Sequence, residues 1–440
     1  MASVLTTLTS PATSPPKLAY IMSRFPKLTE TFILYEILAL EELGVPVEIF
    51  PLLRERQPVT HPEADRLVRR AHFLPFVSWS ILRAQGHFIR RRPLAYFSLW
   101  AEVVRETCGS LNFLVGAIGI FMKAVRFAYE VESRQVRHIH AHFVNHPAVA
   151  ALIIHRLTGV PFSFTAHGSD LHVDRRMLKK KVEAAAFAVT ISAYNKELMI
   201  QECGNRVREK IHVIHCGVDV DIFSRRCRPR GEQPFQILCV ASFEAVKGHK
   251  HLLEACRLLR ARGVDFVCHL VGDGPLRLQV KGQIEAANLA GSVVMHGMLS
   301  RPEVAKMYRA ADVVVLASVF TERGDREGIP IVLMEAMASG VPVVASAISG
   351  IPELVDAGRT GLLVPPGDPS ALADALQTVK EADAERRYLM GAAGREKVQA
   401  KFNLKTNAVA LRDLLLGEKE PNPEASLQAE AAREVASSLG

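Results

Sequence analysis

The chain has no run of apolar residues long enough to cross a bilayer: its most apolar stretch, Leu111 to Met122, is cut off by Lys123 and Arg126. A spanning helix is therefore not expected. The seven cysteines are scattered, with no Cys-x-x-Cys pair and no histidine at metal-ligand spacing. That excludes a zinc ribbon and a disulfide framework, and it fits reduced, mostly buried thiols. A Gly-x-Gly-x-x-Gly fingerprint after the first strand is absent, as is any internal repeat, so a dinucleotide oxidoreductase and a solenoid both drop out. The amino terminus, MASVLTTLTSPATSPPK, has neither the basic start nor the apolar core of a signal peptide. It argues against export and for a cytoplasmic protein with a disordered leader over residues 1–16.

What is present is ordinary in amount but uneven in placement. With 440 residues, 49% hydrophobic and 23% charged, the chain has the composition of a globular protein and the length for two cores. The net charge of +8 falls entirely within residues 1–225, the remainder being balanced. The runs Arg90 to Arg92, Arg175-Arg176 and Lys179 to Lys181 could face anionic lipid or a phosphate-bearing acceptor, or simply water. Nucleic acid is not expected, because no aromatic interleaving or reading motif accompanies the charge. Phe76 to Trp100 mixes aromatic and aliphatic residues with Arg and His. Together with Leu111 to Met122 it reads either as a buried helical hairpin or as a surface in peripheral contact with an anionic membrane.

Short apolar strands alternate with amphipathic stretches along most of the chain, which predicts an α/β fold with parallel sheets. In the first half, strands are predicted at Leu18 to Ser23, Val45 to Leu52, His138 to His142, Pro161 to Ala166 and Val189 to Ser192, with helices at Glu30 to Leu43 and Pro147 to Thr158. After a basic, Pro-containing link, the rhythm resumes with the strand Gln236 to Ala241 and the helix Gly248 to Arg262. The expected division is a first domain over 17–225, a second over 226–417 whose last helix is free to pack back on the first, and a flexible tail over 418–440.

The most informative segment is GDREGIPIVLMEAMASGVPVVAS, residues 324–346. Pro330 suits the first helical position, and Gly340 with Pro342 suits the stop. The loop ahead of this helix, Glu327-Gly328-Ile329, follows the strand predicted at Val313 to Ala317. It sets free backbone N–H groups and the positive helix end at the carboxyl edge of a parallel sheet, where anions bind. Glu327 and Glu335 stand too far apart to act as an acid/base pair. One can accept from sugar hydroxyls and the other from a ribose diol whose diphosphate lies at the helix start.

In this segment, EGIPIVLME, the chain resembles the group 1, family-4 retaining glycosyltransferases of GT-B fold, whose signature is Glu, seven residues, Glu. The likeness extends from about Lys17 to Leu416 through SRFPKLTETFI, HAHFVNHPA, FSFTAHGSD, VIHCGVD, KGHKHLLEA, VGDGP and SGIPELV. It is similar above all to bacterial enzymes of the colanic-acid and exopolysaccharide type. The resemblance implies two Rossmann-like domains facing each other across a cleft, and transfer from a nucleotide-diphosphate sugar to a glycan or polyprenyl-diphosphate-linked acceptor at the inner membrane face. It places Lys247 on the diphosphate, with Gly328 and Ile329 offering backbone N–H groups, Glu335 on the ribose, Glu327 on the sugar and His167 across the cleft. It implies neither metal nor cofactor: Asp219-Val220-Asp221 has the letters of a metal motif but belongs to the interdomain turn. One departure stands out, Ser242, five residues before Lys247, where relatives carry an Arg. Arg323 or Arg326 is the expected replacement.

Two rivals share these features. A GT-B nucleotide-sugar epimerase or phosphorylase has the same cleft and distant glutamates, and a non-catalytic sugar-binding homologue would keep the fold with a decayed site. Consumption of donor without acceptor marks the first, and no turnover in a folded protein marks the second.

Overall fold

Val313–Leu316, Val343–Ser346 and Phe162–Ala166 are buried at every residue, which a strand achieves only when helices cover both faces of its sheet. The computed structural model describes residues 17–27, 30–55, 62–109, 111–172, 175–223, 234–322 and 324–417. The expected leader, most of the basic link, the tail and Arg323 lie outside the described residues. The first sheet contains β1 (Leu18–Phe25), β2 (Val47–Arg54), β3 (His138–His142), β4 (Phe162–Ala166), β5 (Phe187–Thr190) and β6 (Ile211–Val213), in the order β2-β1-β3-β4-β5-β6. The second contains β7 (Phe235–Val240), β8 (Phe266–Val271), β9 (Val293–Gly297), β10 (Val313–Leu316), β11 (Val343–Ser346) and β12 (Gly361–Val364), in the order β12-β11-β10-β7-β8-β9. Every pairing within the two sheets is parallel.

Each order reverses once. In the second sheet the chain builds outward from β7 through β8 to β9, then returns to β10 on the other side of β7. The loops after β7 and β10 therefore diverge and leave a crevice at their carboxyl ends, the place where open α/β sheets take ligands. The first sheet reverses between β1 and β3, and the loops after β3 and β4 face the crevice of the second sheet.

The two sheets carry separate cores. Val218, Val220 and Phe223 already pack in the second, so the chain crosses over just after Cys216. It crosses back near Phe402, where the Val218 amide donates to the Phe402 carbonyl and the Leu404 amide to that of Val218. The returning helix, Leu404–Leu416, buries Leu411 and Leu415 among Ile33, Leu34 and Ile37 of the helix Thr31–Glu42.

Between β2 and β3 the first domain inserts the helices Pro62–Arg70, Trp79–Arg91, Pro93–Thr107 and Leu111–Ser133. This region is buried on one side and exposed on the other. Phe88, Tyr96, Phe121 and Val125 are buried in the first core, while Trp79, Leu94 and Leu111 stand out in water. Lys123 is buried against the sheet, its ammonium donating to the Leu52 carbonyl at 2.6 Å. Among the described residues no helix is long and apolar enough to cross a membrane. Because Leu411 is a large side chain only 2% exposed, Leu411→Ala should lower unfolding stability by about 2–5 kcal/mol. Chemical denaturation followed by circular dichroism measures this.

Candidate active site

Lys247 ends the short turn Ala245–Lys247 after β7. Gly248 follows at φ +65°, and a Cβ there would lie 1.8 Å from the Ala317 carbonyl oxygen. Only glycine lets this turn lie directly on the end of β10, and that contact aims Lys247 at the loop after β10. Its ammonium is hydrogen-bonded to Oε1 of Glu327. Burial alone would lower the Lys247 pKa, but Glu327, with Glu244 and Cys239 behind it, raises it on balance. Two of the residues that the resemblance places at the donor thus hold each other.

The helix behind this pair is Ile331–Ala338, with Pro330 as its cap at ψ 124°. Pro330 therefore precedes the first helical residue instead of filling that position, because the chain is still extended there. Among the described residues, the amides of Gly328, Ile329 and Ile331 form no hydrogen bond. Glu335, on the second turn, accepts from the Tyr308 hydroxyl at 3.1 Å and lies 3.9 Å from Nε of Arg301. Burial raises its pKa, and Arg301 and Tyr308 oppose the rise. Arg301 also lies 4.2 Å over the ring of Tyr35 in the first domain, so the far side of this site is closed by an interdomain contact.

His167 follows β4, and Gly168 next to it meets the donor loop: a Cβ on Gly168 would come within 3.1 Å of the Gly328 nitrogen. The backbone of this turn therefore faces the loop. The imidazole is buried, tilted against Phe32 and Phe143 with ring centroids 4.6 and 4.8 Å away. Its Nε2 is 3.1 Å from Nδ1 of His142, whose Nε2 is 3.0 Å from Oε1 of Glu36. The Tyr20 hydroxyl also donates to Glu36. With Glu36 ionised, His142 donates to it, and His167 must then donate from Nε2, which leaves Nδ1 as its acceptor. Burial, and next His142, hold the His167 pKa well below the usual histidine value. Glu36, His140 and His142 also bring ligand-type atoms within 4.8 Å of one another. Each of these histidine nitrogens has a partner, His140 on Ser163 and Thr165, so the trio belongs to a hydrogen-bonded ladder.

Further contacts fasten the donor loop to the first domain. Nη1 of Arg326 donates to the Tyr194 hydroxyl at 2.8 Å, and its guanidinium lies 5.2 Å over Phe320. The carboxylate of Glu353 accepts from the Ala193 and Tyr194 amides at 2.8 and 2.9 Å, capping the helix Ala193–Cys203 from across the cleft. Ser242 lies in the loop after β7, where the Glu244 amide donates to its carbonyl. The structure thus gathers Lys247, Glu327, Gly328, Ile329 and Glu335 around one helix end with His167-Gly168 opposite. Glu36, His142, Arg301, Tyr194 and Glu353 are additions that the sequence reading did not single out. The histidine motif and SGIPELV held a signal for His142 and Glu353, while nothing local marks Arg301.

The buried histidines set a pH dependence. Burial lowers His138, His172 and His249 each to about 4 from an ordinary 6.5. Between those values the unfolded chain binds more protons than the folded one, so stability falls as pH drops. Asp170, raised by burial to about 6 from 3.8, acts in the opposite sense but is one group against three. The melting temperature should therefore decline from about pH 6.5 toward about pH 4, as differential scanning calorimetry across that range would show.

Residues 29–222 match the family described as Glycosyltransferase Family 4, and residues 222–397 match Glycosyl transferases group 1. A colanic acid biosynthesis glycosyltransferase, WcaL of Salmonella typhimurium, is 31% identical over 411 residues, covering 88% of this chain and 96% of its own. The amylovoran biosynthesis glycosyltransferase AmsK of Erwinia amylovora is 39% identical over 195 residues, 44% of this chain and 48% of that one. A glycosyltransferase from Rickettsia africae superimposes with a TM-score of 0.68 at 18% identity, over 92% of this chain and 99% of that one. Anabaena HepE, solved in complex with UDP-glucose, gives 0.64 at 16% identity, over 91% and 99%. These structures share the two-sheet GT-B arrangement, and with the sequence matches they establish that the chain is a glycosyltransferase of the group 1, family-4 kind.

Proposed function

We propose that the chain transfers a sugar from a nucleotide-diphosphate sugar with retention of anomeric configuration, without a metal ion or cofactor. The observation that carries this reading is the meeting of Lys247, Glu327 and the free amides of Gly328, Ile329 and Ile331 at the sheet crevice, opposite His167-Gly168. The bond from the anomeric carbon to the diphosphate oxygen breaks, its electron pair leaves with the nucleotide, and the acceptor hydroxyl oxygen bonds to the same face. The hydroxyl proton passes to the departing phosphate oxygen. Charge grows on the diphosphate during this step, so the Lys247 ammonium and the helix amides act where they lower the barrier. Glu327, released from Lys247 by the incoming diphosphate, accepts from the sugar hydroxyls, Glu335 accepts from the ribose, and the His167 turn borders the transferred sugar. WcaL and AmsK are named for exopolysaccharide synthesis, which supports a glycan or polyprenyl-diphosphate-linked acceptor and work at the cytoplasmic face of the membrane.

Incubation with a panel of nucleotide sugars, with and without a chelator, tests this reading through nucleoside-diphosphate release and the anomeric coupling constant of the product. Release that survives chelation, with a retained anomeric centre, is expected. An inverted product, or activity lost with the metal, would falsify it. Turnover of donor alone would point to the epimerase reading, and dependence on inorganic phosphate to the phosphorylase. Lys247→Ala should lower kcat/KM about 100-fold or more, as loss of a charge-stabilising donor does.

Ser242 leaves the diphosphate one cation short. We assign the replacement to Arg323 or Arg326, the latter hydrogen-bonded to the Tyr194 hydroxyl. Donor affinity by calorimetry should fall about tenfold in Arg326→Ala, in line with a charged hydrogen bond. Unchanged affinity in both Arg323→Ala and Arg326→Ala would remove the assignment.

A further inference from the structure

The helix Trp79–Arg91 turns one face away from the protein, and that face is both apolar and positive. Trp79, Leu82, Arg83, Gly86 and Arg90 recur at helical spacing and line an open groove completed by Arg126 and Tyr129 of the helix Leu111–Ser133. Trp79 is 84% exposed, and Val77 just ahead of it 78%. More than half of the large apolar side chains that stand exposed among the described residues lie between Phe76 and Val115. Apolar surface gathered in this way marks an interaction site.

No carboxylate lines the groove among the described residues. Arg126 gives Nη2 to Glu130 at 2.8 Å and lies 5.4 Å over the ring of Tyr129, but its Nε and Nη1 are buried with no hydrogen-bond partner. Arg83 and Arg90 beside it form no ion pair among the described residues. Buried N–H groups left this way are a standing cost that an incoming acceptor removes, and phosphate oxygens suit the guanidinium fork.

We propose that this face docks on a bilayer containing anionic lipid. A lipid phosphate enters the groove and accepts from Arg126, Arg83 and Arg90, while Trp79, Phe76 and Val77 seat among the headgroups. A second copy of the chain matches the apolar part but not the charge, since a two-fold interface sets like arginines against each other. The proposal rests on the reading that the acceptor is held at a membrane, and it is independent of the transfer chemistry.

Flotation of the full chain with vesicles of phosphatidylcholine alone, or of equimolar phosphatidylcholine and phosphatidylglycerol, tests it. Binding to the anionic vesicles is expected to be the tighter by about tenfold or more, with Arg83→Gln and Arg90→Gln each weakening it about fivefold. Both of these side chains are exposed, so the test stands even where Arg126→Met fails to fold. The chain has two tryptophans, so in a Trp100→Phe background Trp79 reports alone, and its emission should shift to the blue on anionic vesicles. Equal binding to both vesicle types, binding to neither, or an unshifted Trp79 emission on bound vesicles overturns the proposal. So does capture of monomeric short-chain phosphatidic acid without vesicle binding, or dimerisation through this face. Donor turnover without vesicles should be the same in Trp79→Ser as in the parent, so a failure of docking is read separately from a failure of catalysis.

Discussion

The positive end of the helix Ile331–Ala338 has to be matched by negative charge, and the surrounding structure follows from that requirement. At the crevice between β7 and β10 the amides of Gly328, Ile329 and Ile331 form no hydrogen bond among the described residues. Lys247 adds a full positive charge beside them, and without an anion the Glu327 carboxylate balances it. In the proposed reading that ion pair is a placeholder, which a diphosphate would break by competing for the ammonium, freeing the carboxylate for hydroxyl groups. The site is set by the fold, because the reversal of strand order opens the crevice between β7 and β10, and Gly248 lets the turn carrying Lys247 lie directly on the end of β10.

The first domain contributes a rigid wall. The His167 turn is fixed from below by His142 and Glu36, and beside it the Asn195 amide donates to the His167 carbonyl. Glu353 and Arg326 tie the second domain to the helix that Ala193 begins, and Arg301 reaches Tyr35. The helix Leu404–Leu416, buried against the first domain, is the durable connection.

The alternation of strand and helix was legible because parallel strands buried on both faces read as short runs of Val, Ile and Leu, as in Val313–Leu316. The segment EGIPIVLME was legible because a helix start, a helix stop and two carboxylates coincide in a few residues. Boundaries were less so: β5 begins at Phe187, two residues before the reading placed it, since Phe187 and Ala188 pair with Ser163 and Phe164 and only the sheet reveals that register. The insertion between β2 and β3 stayed open between core and surface because its helices are both, apolar toward Phe121 and apolar again toward water. Arg301 was out of reach for a different reason: it acts on Tyr35 and Glu335, far away in sequence, and carries no local signature of those contacts.

Locating a bound nucleoside diphosphate tests the central claim most directly. In a crystal of the full chain grown with the donor's nucleoside diphosphate, the phosphate oxygens should lie within hydrogen-bonding distance of the Gly328, Ile329 and Ile331 amides, with Lys247 turned from Glu327 toward them. A diphosphate bound elsewhere, with the Lys247–Glu327 pair still closed, would contradict it.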